Sequence, residues 1–76
     1  MKYMIEAFDK RSGFLEFEEE LPSGADEDIK KIMGWTTEQQ GWEGYDLSRG
    51  QIEALEKLME KKIYDPLFKF QLSCNV

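Results

Sequence analysis

LFKFQLSCNV, Leu67–Val76, alternates from Phe68 onward: Phe68, Phe70, Leu72, Cys74 and Val76 at one parity, Lys69, Gln71, Ser73 and Asn75 at the other. Successive side chains of a strand point to opposite faces, so this period of two predicts a half-buried strand. A strand with one apolar face cannot stand alone. It needs partners in a sheet and a cover for that face.

Partners are available at the other end of the chain. KYMIEAF (2–8) and FLEFEEEL (14–21) are runs of strand formers around DKRSG, a polar turn ending in Gly13, which together signal a hairpin. In the first run Tyr3, Ile5 and Ala7 share the expected core face. Met4, Glu6 and Phe8 share the other, with Phe8 near the turn. In the second run Leu15, Phe17 and Leu21 fall together, and Glu16, Glu18 and Glu20 oppose them. The pattern leaves open whether the last strand pairs with the first or with the second.

The cover comes from two amphipathic segments. Ser23 offers an N-cap with Asp26 three residues on, and acids fill the first turn. Ala25, Ile29, Ile32 and Met33 form the apolar stripe, and Gly34 is placed to stop the helix. The second segment opens on Ser48 and Gln51, a capping box, with Leu47 and Ile52 as a hydrophobic staple. Its stripe is Ile52, Leu55, Leu58, Met59 and Ile63. Glu53 and Lys57 stand one turn apart on the wet side, and Lys61 and Lys62 suit the negative end of the helix dipole. Pro66 ends the helix by excluding Asp65 from the α region. The expected fold is α+β in two layers: a three-stranded, mainly antiparallel sheet, order β-β-α-α-β, covered on one face by two helices. The helices are expected on the side of Leu15, Phe17, Phe68 and Phe70.

Seventy-six residues make a single domain, 1–76. A chain of this size buries only about 60% of its unfolded surface, so its core is thin. One cysteine excludes an internal disulfide and suits a reducing compartment. No apolar run is long enough to span a membrane, and the N-terminus lacks the apolar stretch of a signal peptide. A cytoplasmic location is the expectation.

Formal net charge is −6 and histidine is absent. Acidity disfavours nucleic acid and anionic membranes, both of which recruit Lys and Arg. It favours a basic protein partner, drawn in by long-range attraction. Without histidine the commonest general base and metal ligand is missing. Cys74, inward on its strand, reads as a small core hydrophobe. No phosphate loop is present. The ADED run, Ala25–Asp28, is first-turn helix chemistry and lacks the spacing of a calcium loop. The expectation is a protein with no enzymatic activity, cofactor or metal.

Binding surfaces remain. GWTTEQQGWEGYDLS, Gly34–Ser48, holds both tryptophans and one of three tyrosines among three glycines. Trp35, directly after Met33, reads as a core residue. For Trp42 and Tyr45 core and interface stay equally open. Trp and Tyr lead among hot-spot residues, so Trp42, Glu43, Tyr45, Asp46 and Glu38 are candidate partner-binding residues. Glu16 and Glu18, on the acidic face of the second strand, join them.

Five islands carry a resemblance: IEAFDK (5–10), ELP (20–22), IKKIMGW (29–35), EGYDLS (43–48) and FQLSCNV (70–76). They total 29 of the 76 residues and are spread along most of the chain's length, and the chain resembles a family of small bacterial proteins similar to immunity proteins of the bacteriocin or contact-dependent-inhibition type. The resemblance implies a cytoplasmic inhibitor that binds and neutralises a cognate toxin domain, often a nuclease and therefore basic. It implies no particular binding residues. The alternatives are an adaptor or regulatory module without a toxin partner, and a structural homo-oligomer. Four glutamates oppose self-association through the sheet face, but an edge strand leaves it open.

Overall fold

The computed structural model describes residues 2–35 and 44–75. Its elements are β1 (Lys2–Asp9), β2 (Leu15–Glu20), α1 (Asp26–Met33), β3 (Gly44–Asp46), α2 (Arg49–Met59) and β4 (Phe68–Asn75). The strands form an antiparallel sheet of order β2-β1-β4-β3. The fold is α+β, as the pattern predicts, but it has four strands and the order β-β-α-β-α-β. The extra strand is only Gly-Tyr-Asp, too short to show a period. It is made by its partner, since Tyr45 lies opposite Leu72 on β4. The last strand pairs with the first, Leu72 opposite Ile5 and Phe70 opposite Ala7.

The core lies between the sheet and the helices. Tyr3, Ile5 and Ala7 of β1 meet Phe70, Leu72 and Cys74 of β4, covered by Ile29 of α1 and by Ile52 and Leu55 of α2. Phe17 and Phe68 pack at its margin, with rings edge-on at 5.7 Å. Leu15 does not join them. The β1–β2 register runs Ile5 to Glu19 and Ala7 to Phe17, then shifts, so that Phe8 faces Leu15. This bulge turns Leu15 out, and it is 45% exposed. Glu19 takes an inward-parity position instead, where the Lys61 ammonium from beyond α2 meets its carboxylate.

Both helices differ from expectation at one end. Ser23 does not cap α1. The N-cap is Ala25, without a side-chain hydrogen bond, and Asp26, Glu27 and Asp28 supply negative charge to the first turn instead. Gly34 stops α1 as predicted, at φ 72°, with its own N–H on the Lys31 carbonyl and the Trp35 N–H on that of Lys30. For α2 the capping box is present: Gln51 N–H donates to Ser48 Oγ at 3.2 Å and Ser48 N–H to Gln51 Oε1 at 2.9 Å. The helix ends at Met59, well before Ile63 and Pro66. Glu60 adopts the left-handed conformation, φ 55°, and the Lys61 N–H turns back to the Glu56 carbonyl. The Glu56 carboxylate then accepts the N–H groups of Ile63 and Tyr64 at 2.7 and 2.9 Å. Those two amides, which a longer helix would have bonded internally, are satisfied by one side chain.

Candidate functional site

Among the described residues, one face of the sheet carries no helix. By register its rows are Leu15–Phe8–Lys69, then Glu18–Glu6–Gln71–Asp46, then Glu20–Met4–Ser73–Gly44. Glu6 and Glu18 are directly opposite across neighbouring strands, an arrangement that is destabilising for like charges. Relief reaches only the margins. Lys2 Nζ is 3.8 Å from Glu20, and Lys69 Nζ is 3.5 Å from Asp46. Asp46 also accepts a hydrogen bond from Gln71 Nε2 at 2.9 Å. Among the described residues no cation lies within ion-pair reach of Glu6, Glu16 or Glu18.

Two apolar residues are exposed beside the β1–β2 turn. Phe14 is 74% exposed and Leu67 64%. Neither is on a loose loop. The Asp9 carboxylate accepts the N–H groups of Arg11 and Ser12 at 2.8 and 2.9 Å, and the Asp9 N–H donates to the Phe14 carbonyl. Those amide donors hold the Asp9 carboxyl below its ordinary pKa. The Lys10 N–H ties this turn to the carbonyl of Leu67, whose own N–H is held by Asp65 Oδ1 at 2.8 Å.

The candidate residues separate. Glu16 and Glu18 are exposed on β2, and Asp46 is exposed on β3 at the far side of the same face. Tyr45 has the opposite parity. It is half-buried against the core, its ring 4.9 Å from that of Trp35, which in turn lies 6.2 Å from Tyr3. Trp35 is thus a core residue, as the sequence predicts. Glu38, Trp42 and Glu43 lie outside the described residues, as does Val76. The exposed apolar pair, Phe14 with Leu67, was not among the sequence candidates. Both residues open runs of strand formers in the sequence, whereas the strands themselves begin one residue later, at Leu15 and Phe68.

A second surface feature surrounds α2 and the strand-like stretch after it. The Arg49 guanidinium sits 3.8 Å over the Tyr64 ring and 3.7 Å from Glu53, while Tyr64 stacks on Phe70 at 6.0 Å. Glu56 is occupied by backbone, and those amide donors hold its carboxyl below the ordinary glutamate value. These groups are spent on holding residues 60–65 in place. Among the described residues no three carboxylates or thiols gather as a metal site, and no helix is long and apolar enough to cross a membrane.

No curated protein matches the sequence. A family model does, over residues 2–73, nearly the whole chain, from the start of β1 to Ser73 within β4. The chain belongs to that family, DUF7683, a domain of unknown function.

Proposed function

We propose that this protein is a small acidic binding module that neutralises a basic protein partner, an immunity protein whose target is a cognate toxin domain of nuclease type. The observation that carries the reading is the segregation of charge. The helices, 26–33 and 49–59, together hold five acidic and four basic residues, so most of the excess negative charge resides on the strands and connections. On the uncovered face Glu6 and Glu18 stand directly opposite each other, and among the described residues no cation is within ion-pair reach of either, at a cost in stability. A basic partner would relieve that repulsion and be steered toward it, and Lys or Arg clusters are what nucleases use to hold phosphates. Glu16, Glu18 and Asp46 are the described candidate contacts. Glu38, Trp42, Glu43 and the rim of Tyr45 belong to the same proposal. The setting is cytoplasmic, where a toxin's producer would need protection.

The test is calorimetry against the protein encoded by the adjacent gene. Binding with an association rate that falls as salt rises supports the reading. No heat at micromolar concentrations removes the toxin assignment. Binding to a neighbour without toxic activity favours an adaptor instead.

A further inference from the structure

The outer edge of β2 has no partner strand among the described residues, because β2 ends the sheet order β2-β1-β4-β3. An unpaired edge displays a row of backbone N–H and C=O groups and is a template for a further strand. The opposite edge, β3, offers only three residues. On β2 the template is six residues long, with no proline and no lysine in it. Its only protection is charge, and that charge has one sign. Glu16, Glu18 and Glu20 are exposed along it, and Glu6 stands behind Glu18 on the next strand. A second β2 laid against this edge would set glutamate against glutamate. A strand with Lys or Arg at alternate positions would meet a carboxylate at every second residue, while its backbone completed the ladder.

We propose that the β2 edge is a docking site for an extended basic segment of a partner protein, which adds to the sheet as a fifth strand. The segment lies antiparallel to β2, about five residues and roughly 17 Å long at ~3.4 Å per residue. The bulge falls at Glu16, which the register skips between Phe17 and Leu15, so the segment follows Glu20 to Phe17 in regular register and its last residue passes the bulge. Beyond the bulge Phe14 and Leu15 are exposed, so an apolar residue at that end of the segment completes the match. The Glu19 carboxylate does not take part, since Lys61 already neutralises it from the helix side. The proposal rests on the basic-partner reading and adds the mode of contact.

A synthetic peptide, Lys-Thr-Lys-Thr-Lys-Thr-Leu, tests it without the partner in hand. Titrated into the isotopically labelled protein, it should produce saturable shifts at millimolar concentration or below. Amide exchange should slow at Leu15–Glu20 and not on α1 or α2. Glu18→Lys, which relieves a repulsion and so should fold, should weaken the peptide at least tenfold. A peptide of the same composition with its lysines contiguous should give no slowed exchange. Equal effects from both peptides would mean unstructured charge attraction and overturn the proposal. So would sedimentation of the protein alone as a dimer with its β2 amides protected. The two readings fail separately. If the neighbour-encoded protein binds but protects the helices, strand addition falls and the basic-partner reading stands. If the peptide binds and that protein does not, the toxin assignment falls and strand addition stands.

Discussion

Glu56 does the work of a helix terminator through its side chain. Its carboxylate takes two backbone N–H groups from the chain that has just left α2, and Glu60, at φ 55°, makes the turn possible in a conformation that usually selects glycine. Hydrogen bonds to an ionised acceptor contribute about 1.5–3 kcal/mol in partly buried settings, and this one is only partly shielded, so Glu56→Ala should cost about 1–2 kcal/mol in urea unfolding. The sign of the pH effect follows from the direction of the shift. A carboxyl whose pKa is lower when folded stabilises above its ordinary value, and that contribution is lost as pH falls through the folded value. Stability should therefore drop below about pH 4.5, the ordinary value, and Glu56→Gln should flatten that part of the acid limb. An unchanged limb in the variant would show that Asp9, shifted the same way by its turn, carries the effect.

At the scale of elements, β2 shows where reading by parity stops. The period of two assigns Leu15 and Phe17 to one face, and a single extra residue between the strands separates them. Leu15→Ser should therefore change stability by no more than about 0.5 kcal/mol. Phe17→Ala should cost about 2–3 kcal/mol, since it removes edge contacts with Phe68 at 5.7 Å and Phe70 at 6.3 Å. Thermal melts of the two variants side by side decide it. β1 and β4 were legible because they are central, each paired on both sides, and parity then equals burial. Ser48 and Gln51 were legible because a capping box is local chemistry. The end of α2 was not, because the residues that replace its last bonds, Glu56 and Ile63, are seven apart and meet only after the chain turns. β3 was not, because three residues carry no period. Of the candidate site, Glu16 and Glu18 could be placed on an exposed strand from alternation alone. That Tyr45 would face inward depended on a pairing with Leu72 that no nearby residue announces.

Over the whole molecule, stability and charge pull against each other on the uncovered face. Among the described residues Glu6 and Glu18 face each other without a cation, while Lys30 and Arg49 find acids on their own helices at 3.9 and 3.7 Å. Glu18→Lys should raise stability by about 0.2–1 kcal/mol at low ionic strength, and the gain should shrink as salt screens it. Urea unfolding at two salt concentrations gives both numbers. A variant that is more stable and yet binds its partner less well would place this repulsion among features kept for recognition.

Cys74 lies near the end of β4, opposite Tyr3, 1% exposed, and it is the chain's sole thiol. Its side chain is enclosed in the core between the sheet and the helices, so the sulfur cannot meet a reagent until the sheet and its cover part. The rate at which an alkylating agent modifies the native protein is thus a clock for opening of the sheet, wired into the sequence with no label added. Any ligand that ties the sheet shut would slow that clock by the factor it adds to the folded population, so one chemical reaction can read out both folding and capture.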